Sequence, residues 1–197
     1  MHAFLIAGEP SGDALGAALM AGLKQLCPDV RFTGVGGPLM QGQGMESLFP
    51  MDELSVMGIA EVLPKYRHLM RRIRQTADAV LDEEPDALIT IDSPDFCLRV
   101  AGRVRAEKPI RTIHYVAPTV WAWRPGRAQK MAKSIDEVLC LFPFEPPYMS
   151  DAGMKAHFVG HPVSTTPQAT LEQAADFRKA EGIADNAPLV LVLPGSR

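Results

Sequence analysis

The sequence is poor in the features that would place it in several large classes. It has three cysteines, Cys27, Cys97 and Cys140. An odd number spaced so far apart sets up neither a disulfide framework nor a zinc pattern, and it suits a reducing cytoplasm. No apolar run approaches the ~18 residues that a membrane-spanning helix needs. The opening residues, "MHAFLIAGEPSGD", carry no charged leader and no small-residue cleavage site, so no secretory signal is expected. Positive charge is not in excess either. Lys and Arg number 20 against 23 Asp and Glu, a formal net charge of −3, which gives no reason to expect nucleic acid as a partner. Internal repeats and low-complexity tracts are absent.

What is present is an ordinary globular composition. The chain has 197 residues, 47% hydrophobic and 22% charged, enough for a substantial core. Short apolar runs alternate with helical patterns. Strands are expected at Ala3–Ala7, Arg31–Val35, Ala87–Ile91, Thr112–Tyr115, Glu137–Leu141, Ala156–Val159 and Leu189–Leu193. The first and last are almost wholly apolar, as parallel strands covered on both faces tend to be. Between the first two lies Ser11–Leu26, with Leu15, Ala18, Leu19, Leu23 and Leu26 on one stripe. Ser11 is placed to cap that helix, and Asp13 in its first turn suits the positive end of the dipole. Strand–helix–strand repetition of this kind predicts an α/β fold, a Rossmann-like, doubly wound parallel sheet with helices on both faces. The polar, proline-containing stretch "STTPQ" puts a boundary near Pro162–Pro167. The first domain then covers 1–163, and 164–197 is a linker and the start of a second.

Four stretches could carry chemistry. In "AGEPSGDALG", Gly8 and Gly12 flank the turn between the first strand and helix, at the edge where open sheets bind ligands. The spacing is not G-x-G-x-x-G, which excludes the dinucleotide reading. Glu9 is the unusual member, a carboxylate at a strand end, although a capped tight turn would explain the stretch equally well. In "TIDSPDF", Asp95 is accounted for as an N-cap or first-turn residue of the next helix. Asp92 sits at the strand tip facing the same crevice as Glu9, where it could act as a general base or simply shape the turn.

The third stretch, "HYVAPTVWAWRPGR", gathers Trp121, Trp123, Arg124 and Arg127 after a strand. Aromatic rings with arginines favour a sugar or phosphate surface, against the alternative of a corner packed into the core. The fourth, Glu53–Gln75, has an apolar stripe of Val62, Tyr66, Leu69, Met70 and Ile73, with Lys65, Arg67, Arg71, Arg72 and Arg74 around it. It reads either as a solvated amphipathic helix or as an attachment to an anionic membrane beside apolar Val56, Met57, Ile59 and Leu63. His157 and His161 have the spacing of a helical metal pair, but their surroundings read as strand and turn. Neither a metal site nor a cofactor is expected.

Taken in order, the motifs resemble those of the lipid-A-disaccharide synthase family. They are "AGEPSGD" (Ala7–Asp13), "GVGGPLM" (Gly34–Met40), "ELSVMGIAEVL" (Glu53–Leu63), "IDSPDF" (Ile91–Phe96), "IHYVAPTVWAWRPGR" (Ile113–Arg127), "LFPFEPPYM" (Leu141–Met149), "FVGHP" (Phe158–Pro162) and "LPGSR" (Leu193–Arg197). The resemblance implies an inverting glycosyltransferase of the two-lobed GT-B arrangement on the cytoplasmic face of the inner membrane. It would join UDP-2,3-diacylglucosamine to 2,3-diacylglucosamine 1-phosphate, giving the β(1→6) lipid A disaccharide 1-phosphate and UDP.

It also implies that the family's essential aspartate falls on Asp92 and an important arginine on Arg197. Asp92 becomes the first choice of base and Glu9 the second. Gly8, Ser11, Gly12, Asp13, Trp121, Trp123, Arg124, Arg127 and Arg197 become substrate-binding candidates. Val56, Met57, Ile59, Val62, Leu63, Arg67, Arg71 and Arg72 become a portal facing an anionic inner-membrane surface. Since family members run to about twice this length, the chain is expected to be the N-terminal half, inactive alone and free to oligomerise only when full length. Two other readings remain: a non-catalytic lobe that binds lipid acceptor or membrane, and another UDP-sugar transferase or epimerase of the same architecture.

Overall fold

The computed structural model describes residues 1–54 and 59–193, with the side chains of 59–65 left aside. The chain divides into two compact units, Met1–His161 and Pro162–Arg197. The first is built on seven parallel strands: β1 (His2–Ala7), β2 (Arg31–Val35), β3 (Glu46–Ser47), β4 (Ala87–Ile91), β5 (Thr112–Tyr115), β6 (Glu137–Cys140) and β7 (Lys155–Phe158). Its helices are α1 (Pro10–Leu26), α2 (Pro38–Gly42), α3 (Ile59–Glu83), α4 (Pro94–Glu107), α5 (Arg127–Met131) and α6 (Pro146–Ser150), with a short 3-10 turn at Met51–Leu54.

The strand order is β3-β2-β1-β4-β5-β6-β7. The chain therefore winds outward from β1 in one direction, returns, and winds outward from β4 in the other. Beyond the carboxyl ends of β1 and β4 lies the switch point, where sheets of this topology open a crevice. The register makes that edge level. Ala7 is opposite Ile91, Ile91 opposite Tyr115, and Tyr115 opposite Leu139, so the loops after these strands leave the sheet side by side.

Alternation along β1 explains the two cores. Phe4 and Ile6 pack on one face with Ile73, Ala77 and Val80 of α3 and Cys97, Val100 and Val104 of α4. Ala3, Leu5 and Ala7 pack on the other with Met20 of α1 and Met40 of α2. Ala3 through Ala7 are wholly buried, which is why this strand reads as a continuous apolar run. At about 25 cal/mol per Å² of apolar surface, the two faces together supply the main driving force for the fold. Several polar groups are sealed inside, a histidine among them. His114 on β5 is 1% exposed, its Nδ1 lies 2.7 Å from the Thr90 hydroxyl, and burial pushes its pKa down to about 4. It is a neutral core residue and does not reach the edge where the loop it introduces lies.

Two expectations are corrected. In the second unit α7 (Leu171–Ala180) forms, with a capping box between Thr170 and Gln173, but Leu189–Leu193 is not a strand. Val190 to Leu193 are at least three-quarters exposed, and among the described residues this run pairs with no neighbour. A parallel strand exists only through the ladder beside it, so apolar sequence alone does not make one. Ser11 is not the cap of α1 either. The helix begins at Pro10, Glu9 holds the N-cap position in extended backbone without a side-chain capping bond, and Ser11 is exposed within the first turn. Proline at the first position ends the choice, because its fixed φ suits the helix start and its missing N–H costs nothing there.

Candidate functional site

The turn after β4 is the most strained described part of the switch point. Asp92 (φ 48°) and Ser93 (φ 43°) stand consecutively in left-handed backbone. Each non-glycine residue so placed costs about 1–3 kcal/mol, which persists only when the surroundings impose it. Here Asp92 N donates to Tyr115 O at 3.0 Å, and Ser93 O accepts from Phe96 N and Cys97 N at 3.1 and 3.0 Å. The turn thus bridges the end of β5 to the start of α4 and leaves the Asp92 side chain half-buried at the crevice.

The turn after β1 lies directly against it. A Cβ on Gly8 would come within 2.7 Å of Ser93 Oγ and 3.0 Å of Ser93 Cβ. Only glycine allows the two loops so close. Gly12 sits where α1 passes over the sheet, 3.4 Å from Ala7 Cβ and 3.5 Å from Ile91 O at its Cβ position, an ordinary packing contact. Glu9 is half-buried in the turn between β1 and α1. "AGEPSGD" and "IDSPDF", far apart in sequence, therefore meet, and with them the two candidate carboxylates come to one edge.

Asp13 does something else. It is 3% exposed, and its carboxylate accepts hydrogen bonds from Gly37 N, Leu39 N and Met40 N, each at 3.0 Å. It caps α2 from a distance and ties "GVGGPLM" to "AGEPSGD". Its acidity at the start of α1 serves a second helix, and its oxygens face backbone rather than the crevice.

The loop after β5 is open to solvent, which settles against a core-packed corner. Trp121 and Trp123 are 46% and 60% exposed. The Arg124 guanidinium lies 5.1 Å over the Trp123 ring, and Arg127 begins α5, half-buried.

On α3 the basic residues divide. Arg72 donates from Nε and Nη2 to the two oxygens of Glu53 at 2.7 and 2.8 Å and lies 4.4 Å over the Phe49 ring. It pins the Met51–Leu54 turn to the helix, and its charge is used internally. The Arg72 hydrogen bond holds the Glu53 carboxyl below the usual carboxylate range, against some desolvation, with help from His68, whose Nε2 donates at 2.5 Å. Arg67, Arg71 and Arg74 instead line an open cleft of about 540 Å³ with Tyr66 and Met70. Val56, Met57 and Arg197 lie outside the described residues. Ile59, Val62 and Leu63 lie on the α3 backbone, with side chains outside that description.

Among the described residues no cluster of His, Cys, Asp and Glu has the makings of a metal site, and His157 is bonded to Glu137 at 3.3 Å. Sequence reasoning passed over the Glu53–His68–Arg72 cluster and Glu145. The latter is 3% exposed and accepts from Phe142 N at 3.0 Å, shaping the turn after β6. The signal was a carboxylate embedded in "LFPFEPPYM", a stretch otherwise free of charge.

Known proteins resemble the chain over nearly its whole length. Residues 3–197 match the family described as lipid-A-disaccharide synthetase. The chain belongs to that family. It is 65% identical over its whole length to the lipid-A-disaccharide synthase of Ruegeria pomeroyi, covering 49% of that protein. It is 53% identical over 98% of its length to that of Rhodospirillum centenum, again covering 49%. It thus spans about half the length of the curated relatives it matches. Among solved structures it is similar to a Neisseria meningitidis UDP-GlcNAc 2-epimerase bound to UDP-GlcNAc, with TM-score 0.63 and 12% identity over 95% of this chain and 55% of that one. It is also similar to Acinetobacter baumannii MurG, with TM-score 0.53 and 12% identity over 87% of this chain and 47% of that one. At such identities the likeness concerns fold: one Rossmann-like lobe of the GT-B arrangement, which the synthetase family shares with these proteins.

Proposed function

We propose that this chain is the acceptor-binding lobe of an inverting glycosyltransferase that makes the β(1→6) lipid A disaccharide 1-phosphate. The donor is UDP-2,3-diacylglucosamine, the acceptor 2,3-diacylglucosamine 1-phosphate, and UDP the leaving group. The observation that carries this reading is Asp92, held in a strained turn at the switch point against Gly8 and beside Glu9. Inversion takes one displacement. The acceptor 6-hydroxyl attacks the anomeric carbon, a new C–O bond forms as the bond to the diphosphate breaks, and the hydroxyl proton passes to a carboxylate. Asp92 is that base, a role worth typically ~10²–10⁴ in rate, with Glu9 the second candidate. Charge developing on the diphosphate calls for a cation, the part assigned to Arg197.

Both substrates carry acyl chains, and each CH₂ withdrawn from an apolar environment costs about 0.8 kcal/mol. The reading therefore places the lobe on the cytoplasmic face of the inner membrane. Val56–Leu63 supplies the apolar contact, and the Arg67, Arg71 and Arg74 cleft the attraction to anionic headgroups. Arg72 is left out, since it is committed to Glu53. No helix among the described residues is long and apolar enough to cross a membrane, so attachment in this reading is peripheral. The 197 residues alone are expected to bind lipid without turnover.

A chain of the relatives' full length containing these residues tests the proposal with acylated and non-acylated sugars. Turnover only with acylated substrates is expected. Turnover of the non-acylated pair alone would favour the second reading, a water-soluble UDP-sugar enzyme, which the likeness to the epimerase supports.

A further inference from the structure

The loop after β5 and the turn after β6 expose more aromatic surface than folding explains. Trp121 meets Phe144 edge-on with centroids 5.4 Å apart, and Phe144 stacks on Phe142 at 5.6 Å. Burying such a side chain is worth about 1.5–3 kcal/mol, yet these rings and Tyr148 all remain roughly half exposed. Soluble surfaces rarely keep a contiguous patch of this kind without a use for it.

The backbone presenting the two tryptophans is itself strained. Val116 (φ 85°) and Arg124 (φ 50°) bracket the segment in left-handed backbone. For a β-branched valine that conformation is a genuine outlier. The Val116 N–H bond to Leu139 O at 3.0 Å and its packing on the core hold that backbone, which fixes the start of the segment against the sheet.

Trp121, Trp123 and Tyr148 line a pocket of about 390 Å³ together with Gln129 and Asp151. The side chains of Gln129 and Asp151 are exposed and make no bond to another described residue. Flat π faces with an amide and a carboxylate at the rim suit a ring with an apolar C–H face and hydroxyls around its edge. An alkyl chain would gain from the rings but would strip water from Asp151 with nothing in exchange.

We propose that this pocket is a pyranose-binding subsite. The sugar's C–H face rests on the indoles, and its hydroxyls donate to the Asp151 carboxylate and the Gln129 carbonyl. The inference rests on the glycosyltransferase reading and adds to it where a sugar ring of the substrate sits, and through which residues.

Trp121 and Trp123 are the only tryptophans in the chain, so both indole N–H resonances report on the pocket. The 197-residue chain is titrated with D-glucosamine, and separately with inorganic phosphate and with decanoate. Glucosamine should shift both resonances saturably, with a Kd on the order of millimolar. Trp123→Ala should weaken that about tenfold, followed at the Trp121 resonance, and Asp151→Asn about threefold. Decanoate or phosphate shifting the indoles where glucosamine does not would overturn the proposal in favour of an acyl or phosphate site. No response to glucosamine would overturn it too, leaving the patch to another surface. Either failure is distinct from failure of the glycosyltransferase reading, which is judged by turnover in the full-length chain.

Discussion

The two edges of one sheet differ in their backbone and in the partners their strand-end carboxylates find. At the amino edge the carboxylates that begin β4 and β6 have a cation or N–H beside them. Asp136 is bound by Arg105 at 2.5 Å and by Thr112 N at 2.8 Å. Glu137 is bound by Arg111 at 2.7 Å and His157 at 3.3 Å, and Asp86 accepts from His2 N at 2.7 Å. Burial alone would raise the Asp136 and Glu137 carboxyls. The arginines outweigh it and hold both below the usual range. At the carboxyl edge Asp92, Ser93, Val116 and Arg124 sit in left-handed backbone. The one further non-glycine residue with positive φ among the described residues, Glu84, simply ends α3, an ordinary place for that conformation. Left-handed backbone is concentrated at the carboxyl edge, while arginine-paired carboxylates at strand starts mark the amino edge, as expected if one edge binds and reacts and the other stabilises.

The comparison can be broken most forcefully at Asp13, which belongs to the carboxyl edge by sequence but to the packing by contact. Asp13→Ala orphans three backbone N–H groups. It should cost at least about 3 kcal/mol, read as a lower urea midpoint. A near-neutral result would mean that the carboxylate is not needed for packing and is free to serve the crevice.

Acid sharpens the contrast next. His114 has a folded pKa of about 4, below its unfolded value, so the native state binds fewer protons. Its contribution is complete above about pH 6.5 and is lost as pH falls towards 4, a change of up to roughly 3 kcal/mol. The amino-edge carboxylates, with folded pKa values also depressed, add their loss below the ordinary carboxylate range. Unfolding free energies of wild type and His114→Asn at pH 7 and pH 4.5 check this. The variant should lose less on acidification.

The smallest effect concerns Ser93. Ser93→Gly removes the left-handed penalty and should stabilise the chain by about 1 kcal/mol, read as a rise in Tm, while loosening Asp92. Unchanged or lowered stability would show that the turn is not strained.

How much of this was legible beforehand follows from the physics of each element. The strands at Arg31–Val35, Ala87–Ile91 and Thr112–Tyr115 match the structure residue for residue, because buried parallel strands leave a dense apolar signal. β3 has two residues and no periodicity to read. Leu189–Leu193 carried the same apolar signal without a ladder to join. At the site, the strand pattern was enough to put Glu9 and Asp92 just past the carboxyl ends of strands that prove to be neighbours. The Asp13 bonds to Gly37, Leu39 and Met40 were not legible, because they span 24 to 27 residues and depend on the packing of α1 against α2. Nor was the division of the α3 arginines, since Arg72 differs from Arg71 only by facing Phe49 and Glu53.

In the proposed mechanism Asp92 acts and its amino-edge counterparts stabilise. Turnover of acylated substrates by a full-length chain carrying Asp92→Asn, measured beside Asp136→Asn with the Tm of each, tests it most directly. The account predicts a fall of about 10²–10⁴ in kcat at unchanged Tm for Asp92→Asn. For Asp136→Asn it predicts the reverse, near-normal kcat with a lowered Tm. Wild-type turnover by Asp92→Asn would contradict it.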